Sequence, residues 1–307
     1  MNSLHRRRFL HLGLAGGLAA GCWGLPGRKT TAREPIARSG RPKFKFSLAA
    51  YSFRNLLRGK NAPMTLEDFI RYCAQLQLEG TELTSYYFPQ PVTPEYLNRL
   101  KALSFTLGLD ISGTAVGNDF CYPPGEQRRK QIQLVKTWVD HAAAMGAPVI
   151  RIFSGRPRNG QPVQEAHRLA VQAMEECCQY AGEHGVFLAL ENHGGLTTRI
   201  DGLLALVRDV KSPWLGVNLD TGNLHGSPSE EEAYRDMARM APYAVNVQVK
   251  VSITFAGRKR VPSDFARVAQ ILRKAGYRGY IVLEYEERED PRQACRKWMQ
   301  RLREAFA

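Results

Sequence analysis

The sequence lacks features that would assign it to several common classes of protein. The apolar stretch at residues 12–20 is well short of the ~20 residues that a membrane-spanning helix needs. The first strand-like run continues as Tyr51-Ser-Phe-Arg-Asn-Leu-Leu57, without the glycine-rich phosphate loop of a nucleotide-binding doubly wound sheet. None of the six cysteines has zinc-finger spacing, and we predict small buried apolar residues rather than disulfides.

Acidic residues are almost missing from the first 45 positions. This segment holds ten Lys or Arg and one acid, so it carries +9 of the formal net charge of +14. Residues 46–307 carry the remaining +5, which is ordinary for a chain of this size. The high charge therefore does not indicate a nucleic-acid-binding surface, and we predict no nucleic-acid partner.

The N-terminal residues predict export rather than a folded element. Arg6-Arg7-Arg8 precedes the short apolar stretch, which is typical of a twin-arginine signal peptide over 1–22. Residues 18–22 resemble a lipobox. The exported protein is therefore either a periplasmic lipoprotein with a lipid anchor at Cys22 or a periplasmic protein without an anchor. The alternative is a frayed first helix. Residues 23–45, basic and rich in Gly, Pro and Thr, predict a flexible tether.

Residues 46–307 predict one (β/α)8 TIM barrel. Short apolar runs alternate with longer amphipathic stretches, a pattern typical of a parallel sheet. Eight such runs are present, the number that closes a barrel. They are Phe46–Tyr51, Gly80–Thr84, Leu109–Gly113, Pro148–Phe153, Val186–Glu191, Leu215–Asp220, Ala244–Val249 and Tyr280–Glu284. Helix starts are indicated by Thr65, by Thr93 before Pro94, and by Ser229 before three glutamates.

Four of these strands end in side chains that could share a site. Glu191, Asp220, Gln248 and Glu284 stand at or near the tips of the fifth to eighth runs, where the loops of a barrel gather its chemistry. A carboxylate at the end of an apolar strand is costly to desolvate unless it is paired or bound to a cation. A shared metal site is one interpretation, and a set of buried salt bridges is the other.

The chain resembles the sugar phosphate isomerase/epimerase superfamily, the xylose isomerase-like TIM barrels that also include endonuclease IV. The resemblance covers nearly all of residues 46–307. It is carried by Ala50-Tyr-Ser-Phe, Gly80-Thr-Glu-Leu, Glu191-Asn-His-Gly, Asn218-Leu-Asp-Thr-Gly-Asn223, Val247-Gln-Val-Lys250 and Gly279-Tyr-Ile-Val-Leu-Glu284.

This resemblance implies one divalent metal held by Glu191, Asp220, Gln248 and Glu284. The family usually has His where this chain has Gln248. An amide oxygen favours Mn²⁺ or Mg²⁺, with Ca²⁺, Co²⁺ or Zn²⁺ as alternatives. Asn223 also replaces a His that is frequent in sugar epimerases of the family. That change puts the transfer of their substrate contacts in doubt.

Further residues are predicted to bind or process the substrate. Strand parity points Lys250 the same way as Gln248, and places His193 beside Glu191. Arg151 and Glu82 are predicted to face the barrel interior, where they bind substrate or pair with each other. The candidate catalytic residues are Glu191, Glu284, Lys250 and His193, and the candidate substrate-binding residues are Tyr51, Glu82, Arg151 and Asn223.

The leading functional hypothesis is a metal-dependent isomerase or epimerase of a non-phosphorylated carbohydrate. It would remove a proton next to a carbonyl and return it elsewhere. A lyase that expels a leaving group from a 3-keto-glycoside with the same groups is the first alternative. A non-catalytic exported sugar-binding protein is the alternative of another class. A homo-oligomer stays open. A DNA-repair endonuclease is disfavoured, because His193 and His225 alone stand near strand ends.

Overall fold

The computed structural model describes residues 34–59, 61–257 and 259–307. The predicted signal peptide, including Cys22, and residues 23–33 of the predicted tether lie outside these residues. Within them, no helix is long and apolar enough to cross a membrane. The predicted barrel is confirmed: eight parallel strands close in the order β1-β10-β7-β6-β5-β4-β3-β2.

The barrel strands agree closely with the predicted runs. They are β1 Lys43–Ala49, β2 Gly80–Thr84, β3 Asp110–Ala115, β4 Val149–Ile152, β5 Phe187–Glu191, β6 Leu215–Asp220, β7 Ala244–Val249 and β10 Arg278–Leu283. Two further strands, β8 Ser252–Phe255 and β9 Lys259–Pro262, form an antiparallel hairpin after β7. This hairpin was not predicted, although Val251, Ile253 and Phe255 alternate with Ser252 and Thr254 in a period-2 pattern. The second strand, Lys-Arg-Val-Pro, shows no such pattern.

Helices connect the strands in the described part of the chain. They are α1 Arg54–Leu57, α2 Leu66–Gln75, α3 Pro94–Thr106, α4 Glu126–Met145, α5 Val163–Glu183, α6 Ile200–Asp209, α7 Glu230–Met240, α8 Phe265–Lys274 and α9 Pro291–Phe306. The three predicted starts are confirmed, since Thr65, Thr93 and Ser229 each accept a hydrogen bond from a backbone N–H of the first turn.

The boundary between tether and barrel differs from the prediction. Strand β1 begins at Lys43, three residues before the predicted Phe46, because Lys43–Lys45 pair in register with Arg278–Tyr280 of β10. Further upstream, the Ile36 amide donates to the Pro242 carbonyl. The Arg38 guanidinium donates to the carbonyls of Pro242 and Ala244. The last part of the predicted tether therefore lies against the start of β7.

The apolar core lies between the strands and the helices, whereas the barrel interior is partly polar. Leu48, Ile150, Leu188, Val247 and Leu283 are fully buried in the apolar core. Cys73, Cys121, Cys177 and Cys295 are buried and free, and Cys178 is fully buried, which agrees with the prediction of small buried residues. Glu82, Asn218, Asn246 and Gln248 are buried polar residues. The contacts that these four side chains make with one another place them inside the barrel.

Candidate functional site

A cavity of about 250 Å³ opens at the carboxyl ends of the strands. It is lined by Tyr51, Tyr86, Arg151, Phe153, Glu191, His193, Lys250, Glu284 and Glu286. Six of these were predicted site residues. Tyr86, Phe153 and Glu286 were not among the predicted site residues. Phe153 and Glu286 each stand two positions after a predicted inward residue, Arg151 or Glu284, and so share its face.

The fifth strand contributes a buried ion pair. Glu191 and Arg151 are adjacent across β5 and β4, and their side chains are only 4% and 6% exposed. The Arg151 Nε lies 2.9 Å from Glu191 Oε2, without the alignment of a hydrogen bond. The guanidinium also lies 4.1 Å from the centre of the Phe153 ring and donates to the Val116 carbonyl. Burial raises the pKa of Glu191 even though Arg151 opposes this effect.

Lys250 is the centre of a carboxylate cluster. Its Nζ lies 3.1 Å from Asp220 Oδ2, 3.1 Å from Glu284 Oε2 and 2.8 Å from Glu286 Oε2. Burial disfavours the ammonium charge, but the surrounding carboxylates outweigh burial and hold the pKa of Lys250 well above its ordinary value. The surrounding carboxylates therefore favour the ammonium form of Lys250.

The pKa values of the carboxyl groups around Lys250 are shifted in different directions. Burial raises the pKa of Asp220 to about 7, with Lys250 opposing the shift. Burial likewise raises the pKa of Glu284. Burial would also raise the pKa of Glu286, but attraction to Lys250 holds it below its usual value. Lys250 thus favours the ionised form of Glu286, which lines the cavity.

The loop after β6 holds Asp220 in place. Asp220 Oδ1 accepts hydrogen bonds from the amides of Gly222 and Asn223, at 2.7 and 3.0 Å. The Asn223 side chain donates to Asp220 Oδ2 and to Glu191 Oε1, at 3.0 and 3.2 Å. Asn223 therefore joins the two carboxylates where sugar epimerases often carry a His. The β8–β9 hairpin supports this loop, since Thr254 exchanges backbone bonds with Gly222 and Leu224.

Gln248 is not aimed at the cavity. Its Nε2 donates to Glu82 Oε1 at 2.6 Å, and its Oε1 accepts from the Asn218 side chain at 2.7 Å. The Asn246 side chain then donates to both Asn218 and Glu82, which closes a ring of four side chains. Strands β2 and β7 are not neighbours, so the ring crosses the barrel interior. Burial raises the pKa of Glu82 to about 7.

The other predicted site residues lie partly in the cavity and partly deeper in the barrel. Arg151 and Glu82 face the interior as predicted, but they do not pair with each other: Arg151 pairs with Glu191, and Glu82 joins the ring. His193 lies at the cavity edge against the Phe153 ring. Burial and the nearby cations lower the pKa of His193 to about 4, so its imidazole is neutral at pH 7. Tyr51 lines the cavity.

The predicted metal ligands do not fit a divalent ion as they are arranged. Asp220 and Glu284 already surround an ammonium, Glu191 is paired with Arg151, and the Gln248 oxygen accepts from Asn218. Among the described residues, no group of three or more His, Cys, Asp or Glu has the geometry of a metal site. The metal role of these four residues therefore stays a prediction.

A family model described as a xylose isomerase-like TIM barrel matches residues 70–305. The chain belongs to this family. This membership confirms the resemblance that the strand-end motifs indicated. Proteins named as epimerases and as a dehydratase are among those that this chain resembles.

Comparison with individual proteins agrees with this family. The 3-dehydroshikimate dehydratase of Bacillus anthracis is 25% identical over 185 residues, which span 57% of this chain and 61% of that protein. The D-psicose 3-epimerase of Clostridium cellulolyticum H10 superimposes with a TM-score of 0.69 and 16% identity, over 85% of this chain and 99% of the other. The 3-keto-D-glucoside 4-epimerase of E. coli gives 0.66 and 15%, over 85% and 100%. The two structures show the shared fold.

Proposed function

We propose that this xylose isomerase-like barrel is an isomerase or epimerase that moves a proton on the carbon next to a carbonyl of a small, uncharged carbohydrate. The observation that carries the proposal is the convergence of Glu191 and Glu284 on one cavity. Their strands, β5 and β10, stand three positions apart around the barrel. The two carboxyls therefore approach a bound substrate from different sides, as removal and return of a proton require.

The electrostatics of the two carboxyls support acid–base chemistry. Burial raises the pKa of both Glu191 and Glu284. A carboxylate whose pKa lies nearer to neutrality is a stronger base and, once protonated, remains acidic enough to return the proton. The Lys250 ammonium beside Glu284 supplies positive charge where an enolate oxygen would form.

The cavity favours a small, uncharged substrate. Its volume of about 250 Å³ is below the range of about 300–1,000 Å³ usual for drug-sized ligands. The two cationic side chains that line it, Arg151 and Lys250, are already paired with carboxylates. No lining cation is thus left over for a phosphate or a carboxylate. The rings of Tyr51, Tyr86 and Phe153 offer apolar faces of the kind that sugars contact.

Elimination is the second candidate, favoured by the dehydratase relative. Loss of water or of an aglycone can begin with the same proton abstraction. It also needs a group that protonates the leaving oxygen. His193 is neutral at pH 7, so this role would pass to a protonated Glu191 or Glu284. A released aglycone from a 3-keto-glycoside would identify the lyase.

The N-terminal sequence supports a site of action outside the cytoplasm. Arg6-Arg7-Arg8 and the short apolar stretch predict export by the twin-arginine route. Sugar phosphates are cytoplasmic, so export agrees with a non-phosphorylated substrate.

Exchange of substrate hydrogen for deuterium tests the proposal. The protein is incubated in D₂O with free ketoses and with 3-keto-glycosides, and exchange is followed by NMR. We expect Glu191→Gln and Glu284→Gln each to slow exchange by about 10²- to 10⁴-fold while the barrel still folds, as circular dichroism would show. Glu191→Gln should also lower the thermal midpoint, because it leaves the buried Arg151 without its carboxylate partner. The control is Glu126→Gln, an exposed residue of α4. Binding without exchange in the wild type would instead indicate the non-catalytic sugar-binding protein.

A further inference from the structure

The position of Lys250 is the feature that the family resemblance does not explain. Its Nζ has three carboxylate partners, Asp220, Glu284 and Glu286, all within 3.1 Å. Two of these are predicted metal ligands. The ammonium therefore lies at the point toward which these ligands converge, and its side chain is only 11% exposed.

The chain is built to hold this ammonium in place. The Lys250 backbone amide donates to the Thr221 hydroxyl at 3.0 Å. A methyl group at Gly222 would lie 2.6 Å from the Lys250 Cδ and 2.9 Å from its Cβ. The absence of a side chain at position 222 is thus what allows the Lys250 stem to run past the β6 loop.

Gln248 agrees with this arrangement. Its amide is held between Glu82 and Asn218, so its oxygen is turned away from the cluster around Lys250. With Gln248 held in the barrel interior and Glu191 paired with Arg151, the predicted metal ligands that remain beside Lys250 are Asp220 and Glu284. Both already neutralise an ammonium, and a second cation there would be repelled at short range.

We propose that the Lys250 ammonium, rather than a divalent metal, is the cation that polarises the substrate carbonyl in this site; the inference rests on the proposed function. Glu286 is the partner that a substrate oxygen would replace, because it is 30% exposed whereas Asp220 is 0% and Glu284 is 7% exposed. Lys250 would thereby touch the reacting atoms and act as a catalytic residue.

The step balances without any further reagent. A carboxylate, Glu191 or Glu284, takes the proton from the carbon next to the carbonyl. The C–H electron pair forms the new carbon–carbon double bond, and the carbonyl π pair moves to oxygen. A Lys250 N–H donates a hydrogen bond to that enolate oxygen. Return of the proton to the opposite face of the same carbon reverses these movements and gives the epimer. Return to the former carbonyl carbon gives the isomer, and the hydroxyl proton of the enediol then moves to the former carbonyl oxygen.

Titration with Mn²⁺ alone tests the position of the cation. We expect the full-length wild-type protein to show no saturable binding tighter than about 1 mM by calorimetry or electron paramagnetic resonance. Lys250→Met keeps the length of the side chain and removes the charge. We expect this variant to bind Mn²⁺ at least ~10-fold more tightly, and the control Lys130→Met, on the exposed face of α4, to behave as the wild type does. One tightly bound Mn²⁺ in the wild type would overturn the proposal.

Hydrogen exchange after exhaustive chelation provides a test that does not depend on a variant. Exchange by the wild type that survives chelation supports the proposal. Exchange that is lost on chelation and restored by Mn²⁺ overturns it, while the proposed function stands.

Lys250→Met that folds and retains exchange within twofold of the wild type also overturns it. If no substrate exchanges under any condition, the proposed function fails, and the Mn²⁺ titration still decides which cation the carboxylates hold.

Discussion

Removing Arg151 isolates the buried charge of Glu191 and should cost a large share of the stability. The two side chains are 6% and 4% exposed, so Glu191 could not recover its lost partner from water. Removing one member of a buried ion pair typically costs about 3–5 kcal/mol. Methionine would keep most of the packing on the Phe153 ring. We therefore expect Arg151→Met to lower the free energy of unfolding by about 3–5 kcal/mol at pH 7.

The loss should depend on pH, with a sign that follows from the pKa of Glu191. Burial already raises this pKa in the folded protein, and loss of Arg151 would raise it further above the unfolded value of about 4.3. In that window the folded state binds more protons than the unfolded state, so stability falls as pH rises, by up to about 1.4 kcal/mol per pH unit. At pH 5, Glu191 can accept a proton, and the loss should shrink to about 1–2 kcal/mol.

Urea denaturation at pH 5 and pH 7 measures both effects. The double variant Arg151→Met with Glu191→Gln removes the charge together with its partner, while the amide oxygen can still accept from Asn223. We expect this double variant to regain most of the stability at pH 7. Equal losses in the single and double variants, or a loss in the single variant that does not change with pH, would refute the reasoning.

Two further changes test the placement of Lys250 and the predicted route of export. Gly222→Ala brings a methyl group within 2.6 Å of the Lys250 side chain, so we expect it to slow substrate exchange at least ~10-fold with KM little changed. Gly160→Ala strains the backbone locally, because φ is +75° there, but it has no atom within 4 Å of the new methyl group and should leave exchange unaffected. Replacing Arg6 and Arg7 together by Lys should retain the protein in the cytoplasm on cell fractionation, and undiminished export of that variant would contradict a twin-arginine signal.

The sequence predicted the site most successfully at the ends of the strands. Glu191 and Glu284 follow apolar runs whose period of two assigns each residue to a face, and both line the cavity. The same parity would have found Glu286 and Phe153, which stand two positions beyond Glu284 and Arg151. The pairing of charges was not predictable in this way. Pairing with Glu82 was one of the two predicted alternatives for Arg151, but Arg151 pairs with Glu191, because β4 and β5 are neighbours in the barrel.

The sequence by itself determined the strands, the helix starts and the kinds of side chain at the barrel mouth, because periodicity and capping depend on residues close together in the chain. Only the tertiary structure decided what those side chains bind. Closure of eight strands brings Gln248 across the interior to Glu82 and turns it away from Lys250. Contacts across a barrel depend on which strands face each other, and no local pattern records that arrangement.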